Sequence, residues 1–264
     1  MKRRTFLKCV LVLTAICILL PVAVIAIWSV TGRWPWPKLL PESWTLRTLE
    51  ELVFGSAKLP ELLLSSISLA AAVAGLATVI SILTARATEF YDLPVKGLIR
   101  FSGMLPLLVP GTVFAMGIQL VMLKLGLADK IAGVVLVHLV CALPYCIAIM
   151  GDVTRAAGVR LEEQAQVLGA SPLRAFFAVT LPSLLPGILS SISMGFILSY
   201  SQYFTTLMLG GGRVKTIALV LVPYIQSGDR ALASAYSVAF VGSAMIVFVI
   251  FEALIKKLQK EGTT

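Results

Sequence analysis

Residues Glu162 to Ile188 read EEQAQVLGASPLRAFFAVTLPSLLPGI. This stretch is polar and helix-forming, yet it lies between long apolar segments of a very hydrophobic chain. It is too structured for a plain connector and too short for a separate domain. Leu161, Ala165 and Leu168 stand at i, i+4 and i+7, which places them on one helical face. Glu162, Glu163, Gln164 and Gln166 fill the other faces. Gly169 follows the last apolar residue and suits a C-terminal cap with positive φ. Ser171 before Pro172 is a start signal, a hydroxyl cap followed by proline at the first helical position. A second short helix then carries Arg174, Phe176, Phe177 and Val179, with Pro182 and Pro186 marking its end. The pattern is helix, glycine turn, helix. It fits a docking element presented to a soluble partner at a membrane surface, or an amphipathic loop lying on the bilayer.

The flanks decide the class. Of 264 residues, 58% are hydrophobic and 13% charged, against about 25% charged in a soluble domain. Six segments reach the roughly 20 residues that a bilayer crossing needs. They lie near 9–30, 62–84, 102–123, 131–151, 186–208 and 233–255. The expected fold is all-α, an integral membrane protein of six transmembrane helices forming one domain over 1–264, with 152–185 as a loop. The run from Cys9 to Val30 is too long for a signal-peptide core and is expected to be a retained span. Basic residues gather on the inner segments, beginning with Lys2, Arg3, Arg4 and Lys8. This bias puts both termini and 152–185 in the cytoplasm. The net charge of +9 therefore marks topology. No interleaving of aromatic and basic residues points to nucleic acid.

The second span is rich in small residues from Ser65 to Ala77, which let helices pack closely in lipid. The fifth carries Ser190, Ser191, Ser193, Gly195, Ser199, Ser201 and Gln202, and is expected to face protein or a pathway. Pro106, Pro110 and Gly111 interrupt the third span and Pro144 the fourth, as hinges or as kinks. In the outer loop, Trp34, Trp36 and Trp44 fit interfacial anchors or contacts to a delivery protein. Cys9, Cys17, Cys141 and Cys146 have no metal-type spacing and are expected to be small buried hydrophobes.

The 162–188 stretch resembles the signature loop of the membrane subunits of ATP-binding-cassette importers. That signature is Glu-Ala-Ala, three residues, Gly, nine residues, Ile, one residue, Leu-Pro. Glu163, Ala165, Gly169, Leu181 and Pro182 stand at the matching spacings, and Ala170 beside the glycine also suits the family. Gln164 replaces the middle Ala and Val179 replaces Ile. The resemblance implies a type I importer permease fold in the cytoplasmic membrane. It implies that these six residues couple the chain to an ATPase. The implied partners are ATP-binding subunits carrying ATP and Mg, a second permease subunit, identical or homologous, and an extracytoplasmic substrate-binding protein. Among importer permeases the likeness is to the spermidine/putrescine type, whose relatives serve thiamine, ferric iron and phosphonates.

The chemistry absent from the chain agrees. No GxxxxGK[ST] cradle occurs, so ATP hydrolysis would belong to another chain and no cofactor is expected here. With His138 as the single histidine, no Ser–His–Asp set or metal site is expected, and the chain is not expected to be an enzyme. None of the 13 acidic residues lies in the middle of a span, whereas a proton- or sodium-driven carrier usually shows a buried carboxylate. A stand-alone secondary carrier or channel is the alternative. An intramembrane His138 is a candidate for pathway contact or a hydrogen-bonded structural group. Tyr200, Gln202 and Tyr203 are further pathway candidates, the aromatic faces of the two tyrosines being able to meet a cationic polyamine.

Overall fold

A computed structural model of the chain describes residues 2–35, 37–55, 58–94, 96–99, 101 and 108–261, with 2, 3, 5 and 255–261 described through the backbone alone. Among the described residues, five helices are long and apolar enough to cross a membrane. They correspond to the expected first, second, fourth, fifth and sixth spans. The third is described only as α4 (Gly111–Lys124), an apolar helix of 14 residues. Pro106 lies outside the described residues. Pro110 does not kink a helix but precedes one, its extended ψ of 131° leading into Gly111.

Two compact units are distinguished, Met1–Leu63 with Ile217–Ser243, and Leu64–Thr216 with Ala244–Thr264. The first contains α1 (Lys2–Trp28), strands β1 (Thr31–Arg33) and β2 (Ser43–Trp44), and α2 (Arg47–Phe54). It also contains α10 (Ile217–Ser227) and the beginning of α11 (Arg230–Glu261). The strands form an antiparallel pair. No residue of the most apolar stretch of α1 is buried inside the protein, as a helix solvated by lipid can be. Cys9 and Cys17 are therefore exposed rather than buried; Cys141 is half-buried and Cys146 is buried. Trp34 is not a free anchor. Its ring stacks on Trp28 at 4.9 Å, its indole N–H donates to the Lys38 carbonyl at 2.8 Å, and Arg230 lies 5.6 Å over Trp28. Trp44 is exposed, and Trp36 lies outside the described residues. Helix α10 was not anticipated, because its 11 residues fall below span length.

The second unit is built on α3 (Leu59–Phe90), α5 (Ile131–Ala157) and α8 (Leu181–Tyr200). One face of α3 forms a buried stripe of mostly small residues, Ser66, Ala70, Val73, Ala74, Ala77, Ser81 and Ala85. Their spacing of three and four keeps them on one face. Thr78 and Ser191 share a buried hydrogen bond of 3.0 Å that ties α3 to α8. Helix α5 packs along α8. Two clusters, Val73, Ala77, Leu139, Ala142 and Cys146, then Ala85, Met150 and Leu184, form successive layers of the core. Phe196 is fully buried, stacked on Tyr200 at 5.2 Å and met edge-on by Phe248 and Phe251.

The fifth span differs from expectation. One helical run extends over Pro172–Tyr200. It consists of α7 (Pro172–Ala175), a π-turn (Phe176–Thr180) and α8. Pro182 and Pro186 do not end a helix. The Leu181 N–H bonds to the Phe176 carbonyl five residues back, and Pro182 enters the first turn of α8. A wide turn of this kind absorbs a residue that lacks an N–H. The helix stops at Tyr200, and after Ser201–Tyr203 a separate α9 (Phe204–Gly210) begins.

At Gly195 the α3 and α8 backbones approach so closely that an added Cβ would lie 3.1 Å from the Ala74 Cα and 3.4 Å from the Cys146 Sγ. Gly195→Val is expected to destabilise the folded protein by about 1–3 kcal/mol through overpacking. Thermal unfolding of the detergent-solubilised chain checks this; an unchanged midpoint would contradict close α3–α8 contact.

Candidate functional site

Helix α6 (Arg160–Val167) inverts the usual burial rule. Its apolar residues are exposed: Leu161 at 58%, Val167 at 87% and, in the cap, Leu168 at 88%. Its buried residue is an acid, Glu162, at 6%. The expected apolar face of Leu161, Ala165 and Leu168 is thus turned outward, with Ala165 half-buried. A carboxylate is buried in this way only when it is paired and hydrogen-bonded. Arg86, near the end of α3, supplies the pair. Its Nη1 donates to Glu162 Oε2 at 2.9 Å and its Nη2 to Oε1 at 3.0 Å. Thr180 Oγ1, in the π-turn, donates to Oε2 at 2.5 Å. The Arg86 guanidinium lies 4.8 Å from the Phe176 ring and 5.6 Å from Phe90. The Arg86 hydrogen bond, with help from Thr180 and the Arg86 charge, holds the Glu162 carboxyl below its ordinary value of 4.5 against the opposing effect of burial. The stability this gives is complete above pH 4.5 and is lost as pH falls through the lowered value.

The turn is as expected. Gly169 has φ +95°, a conformation side chains disfavour, and Ser171 Oγ accepts the Arg174 N–H at 3.4 Å to cap α7. Ala170 N–H closes onto the Ala165 carbonyl at 3.0 Å. Leu173 and Phe177 are exposed beyond it. Glu163 is exposed and lines a shallow groove with Arg160, Gln164, Val167 and Leu168. Leu181 and Pro182 lie apart from that groove, in the first turn of α8. The signature positions therefore divide between an outer surface and the start of a span. Sequence reading missed Glu162 and Arg86. As a basic residue of an inner segment Arg86 reads as a mark of topology; its signal is that it immediately follows Ala85 of the buried stripe, at the end of α3.

The pathway candidates also divide. His138 on α5 is buried, with Nδ1 2.9 Å from Ser199 Oγ and Nε2 3.0 Å from Thr206 Oγ1. A neutral ring donates at one nitrogen and accepts at the other. His138 thus bridges α8 and α9 across the break at Ser201–Tyr203. Thr206 Oγ1 also lies 2.8 Å from the Gln202 carbonyl. Gln202 lines a cavity of about 410 Å³ with Thr112, Cys141, Tyr145 and Thr205. Tyr200 lies in the aromatic core rather than in that cavity, and Tyr203 is half-buried beside the break.

The family model described as binding-protein-dependent transport system inner membrane component matches residues 77–261, which include α6, the π-turn and Arg86. The chain belongs to this family. Members of known name resemble it in part. An ABC transporter permease protein, ORF1, of Streptomyces antibioticus is 31% identical over 54% of this chain and 62% of its own length. The molybdenum transport system permease protein ModB of Haemophilus influenzae is 32% identical over 49% of this chain and 58% of its own. The putrescine transport system permease protein PotI of Escherichia coli is 26% identical over 83% of this chain and 80% of its own. The matched part of the chain thus spans about three fifths of the length of the first two relatives.

In this permease family member His138 acts first as a packing bridge. His138→Leu removes the ring partner of the buried Ser199 and Thr206 hydroxyls and is expected to cost about 1–3 kcal/mol. His138→Gln, which keeps a donor and an acceptor, is expected to cost less. Thermal unfolding midpoints of the two variants give the comparison; equal losses would contradict the bridging role.

Proposed function

We propose that the chain is a permease subunit of an ATP-driven, binding-protein-dependent importer, and that α6, Gly169 and α7 form its docking element for an ATPase. The observation that carries this reading is the inverted α6. A helix that buries its acid and exposes Leu161, Val167 and Leu168 presents an apolar surface for a partner to cover. Family membership supplies the context. Glu163 stands in the groove on that surface, Ala165, Gly169 and Ala170 shape the turn, and Leu181 and Pro182 join it to α8. Residues 1–264 act as one membrane domain with 152–185 and both termini in the cytoplasm, where an ATPase reaches the docking element. ATP and Mg bind on that ATPase, and hydrolysis belongs to it. A second permease subunit completes the pathway, and an external binding protein delivers the cargo. Closure of the ATPase pair draws the docking elements together and switches the spans between inward- and outward-facing forms.

For the cargo, the first reading is a polyamine, because PotI, named for putrescine transport, is similar over four fifths of both chains. Selection then rests on the binding protein, since none of the described residues lining the cavity beside Gln202 carries a carboxylate. A second reading is an oxyanion. It is favoured by the hydrogen-bond donors Thr112, Tyr145, Gln202 and Thr205 around that cavity and by the likeness to ModB.

Purification through a tag on this chain is expected to bring down an ATPase with a GxxxxGK[ST] motif, and Glu163→Ala is expected to lower ATP-dependent uptake while the protein remains inserted. Isolation of a fully active transporter without any ATPase would favour the stand-alone carrier. Uptake of labelled putrescine and of molybdate by the reconstituted complex separates the two cargoes. Labelling of a cysteine at position 171 by an impermeant reagent added outside the cell would overturn the topology.

A further inference from the structure

Helix α6 has two sides, and only the outer one is absorbed by the docking reading. The inner side is a single carboxylate with partners on two different spans. Arg86 belongs to the end of α3, and Thr180 belongs to the π-turn that leads into α8. The geometry of the Arg86 contact is of the strongest class, a bidentate pair of 2.9 and 3.0 Å. Glu162 is buried, so water competes little for it. The Arg86 guanidinium has little freedom of its own, because the rings of Phe176 and Phe90 flank it at 4.8 and 5.6 Å. Phe176 opens the same π-turn that Thr180 closes. The last turns of α3 are also tied to α5, where Arg155 Nε and Nη2 donate to the two carboxylate oxygens of Glu89 at 2.9 and 3.0 Å. Further along, Thr78 with Ser191, and Ala74 against Gly195, fasten α3 to α8.

A displacement of α6 therefore cannot remain local. To move without α3, it must leave a carboxylate and a guanidinium separated in a part-buried site. To move without α8, it must break the Thr180 contact. We propose that Arg86, Glu162 and Thr180 are positioning residues that lock the docking helix to α3 and α8, so that the three move as one body when the partner ATPase closes. This rests on the permease reading of the previous section. Glu162 and Arg86 need not touch the ATPase: Glu162 faces inward, and Glu163 is the acid on the outer surface. The π-turn is the place where α7 can flex relative to α8 while Thr180 stays attached.

The test uses the transporter complex purified through this chain, in a background without the four native cysteines. Spin labels are placed at Gln166 on α6, exposed and outside the groove, and at Leu83 on α3, also exposed. The distance between them is measured without nucleotide and after trapping with ATP and vanadate. In the otherwise native chain the two distributions are expected to coincide. In Glu162→Gln the trapped state is expected to shift or broaden, because α6 moves without α3. Arg86→Gln is expected to act in the same way, and the double variant no more strongly than either single one. Uptake of putrescine or molybdate, whichever the wild-type complex moves, is expected to fall about tenfold per ATP hydrolysed in Glu162→Gln. Where that variant does not assemble, Thr180→Val decides: it should lower uptake per ATP, and Thr180→Ser should restore it. A Gln166–Leu83 distance that changes between states in the native chain overturns the lock. So does unaltered uptake per ATP in Glu162→Gln, or in Thr180→Val where that variant stands in. So do losses that multiply in the double variant. A chain with which no ATPase co-purifies removes the permease reading, and the lock with it.

Discussion

A carboxylate buried at the base of a surface helix can exist only if a cation comes to meet it, and the Arg86–Glu162 pair is that condition here. Removing one partner of a buried pair typically costs about 3–5 kcal/mol, because the other is left charged and unsolvated. That requirement fixes which side of α6 faces the bundle. Once Glu162 points inward, the 3.6-residue period turns Leu161, Val167 and Leu168 outward. The exposed apolar surface is thus a consequence of the ion pair and not an independent feature. The same pair brings Phe176 against Arg86 and Thr180 against Glu162, so the π-turn takes its place from it as well.

Small residues do the corresponding work within the spans. Lipid tails are as apolar as leucine, so burying leucine gives helices little reason to associate. Close approach does, and α3 offers it with Ala70, Ala74 and Ala77, matched by Gly195 on α8. Buried hydroxyls then add directional contacts, as between Thr78 and Ser191. The α3–α8 pair is consequently specified by shape and a few hydrogen bonds. Such a pair transmits displacement because its alternatives, a clash or an unpaired hydroxyl, are both unfavourable.

Much of this was legible in the sequence. Apolar length marked four helices that match the structure to within a turn or two and the fifth only in part, and Gly169, Ser171 and Pro172 marked the turn with the right conformations. The small residues of the second span pointed to close packing; Ser66, Ala70, Ala74 and Ala77 among them are buried, whereas Ser68, Ala71, Ala72 and Gly75 are exposed. What failed did so for identifiable reasons. Periodicity put Leu161, Ala165 and Leu168 on one face but could not say which way that face points; a salt bridge to a residue 76 positions away turns it outward. Proline was read as a helix end, but a π-turn absorbs Pro182. The Ile217–Ser227 helix is shorter than a bilayer crossing and escaped a length criterion.

The break between α8 and α9 follows the same economy of polar groups. Irregular backbone at the end of an apolar helix leaves carbonyls without partners, which hydrocarbon does not tolerate unless protein satisfies them. Here the protein does. The Gln202 carbonyl accepts from Thr206, the Met208 carbonyl accepts from Gln119 at 3.1 Å, and the Leu209 carbonyl accepts the Asp129 N–H at 2.9 Å. His138 joins the two sides through Ser199 and Thr206. A histidine serves because its two nitrogens lie on opposite sides of a rigid ring and can hydrogen-bond two hydroxyls at once. The single histidine of the chain therefore has a structural reason to be where it is. Any contact of the cavity with cargo would fall to Gln202 and its neighbours, whose side chains line that space while the ring is held away from it.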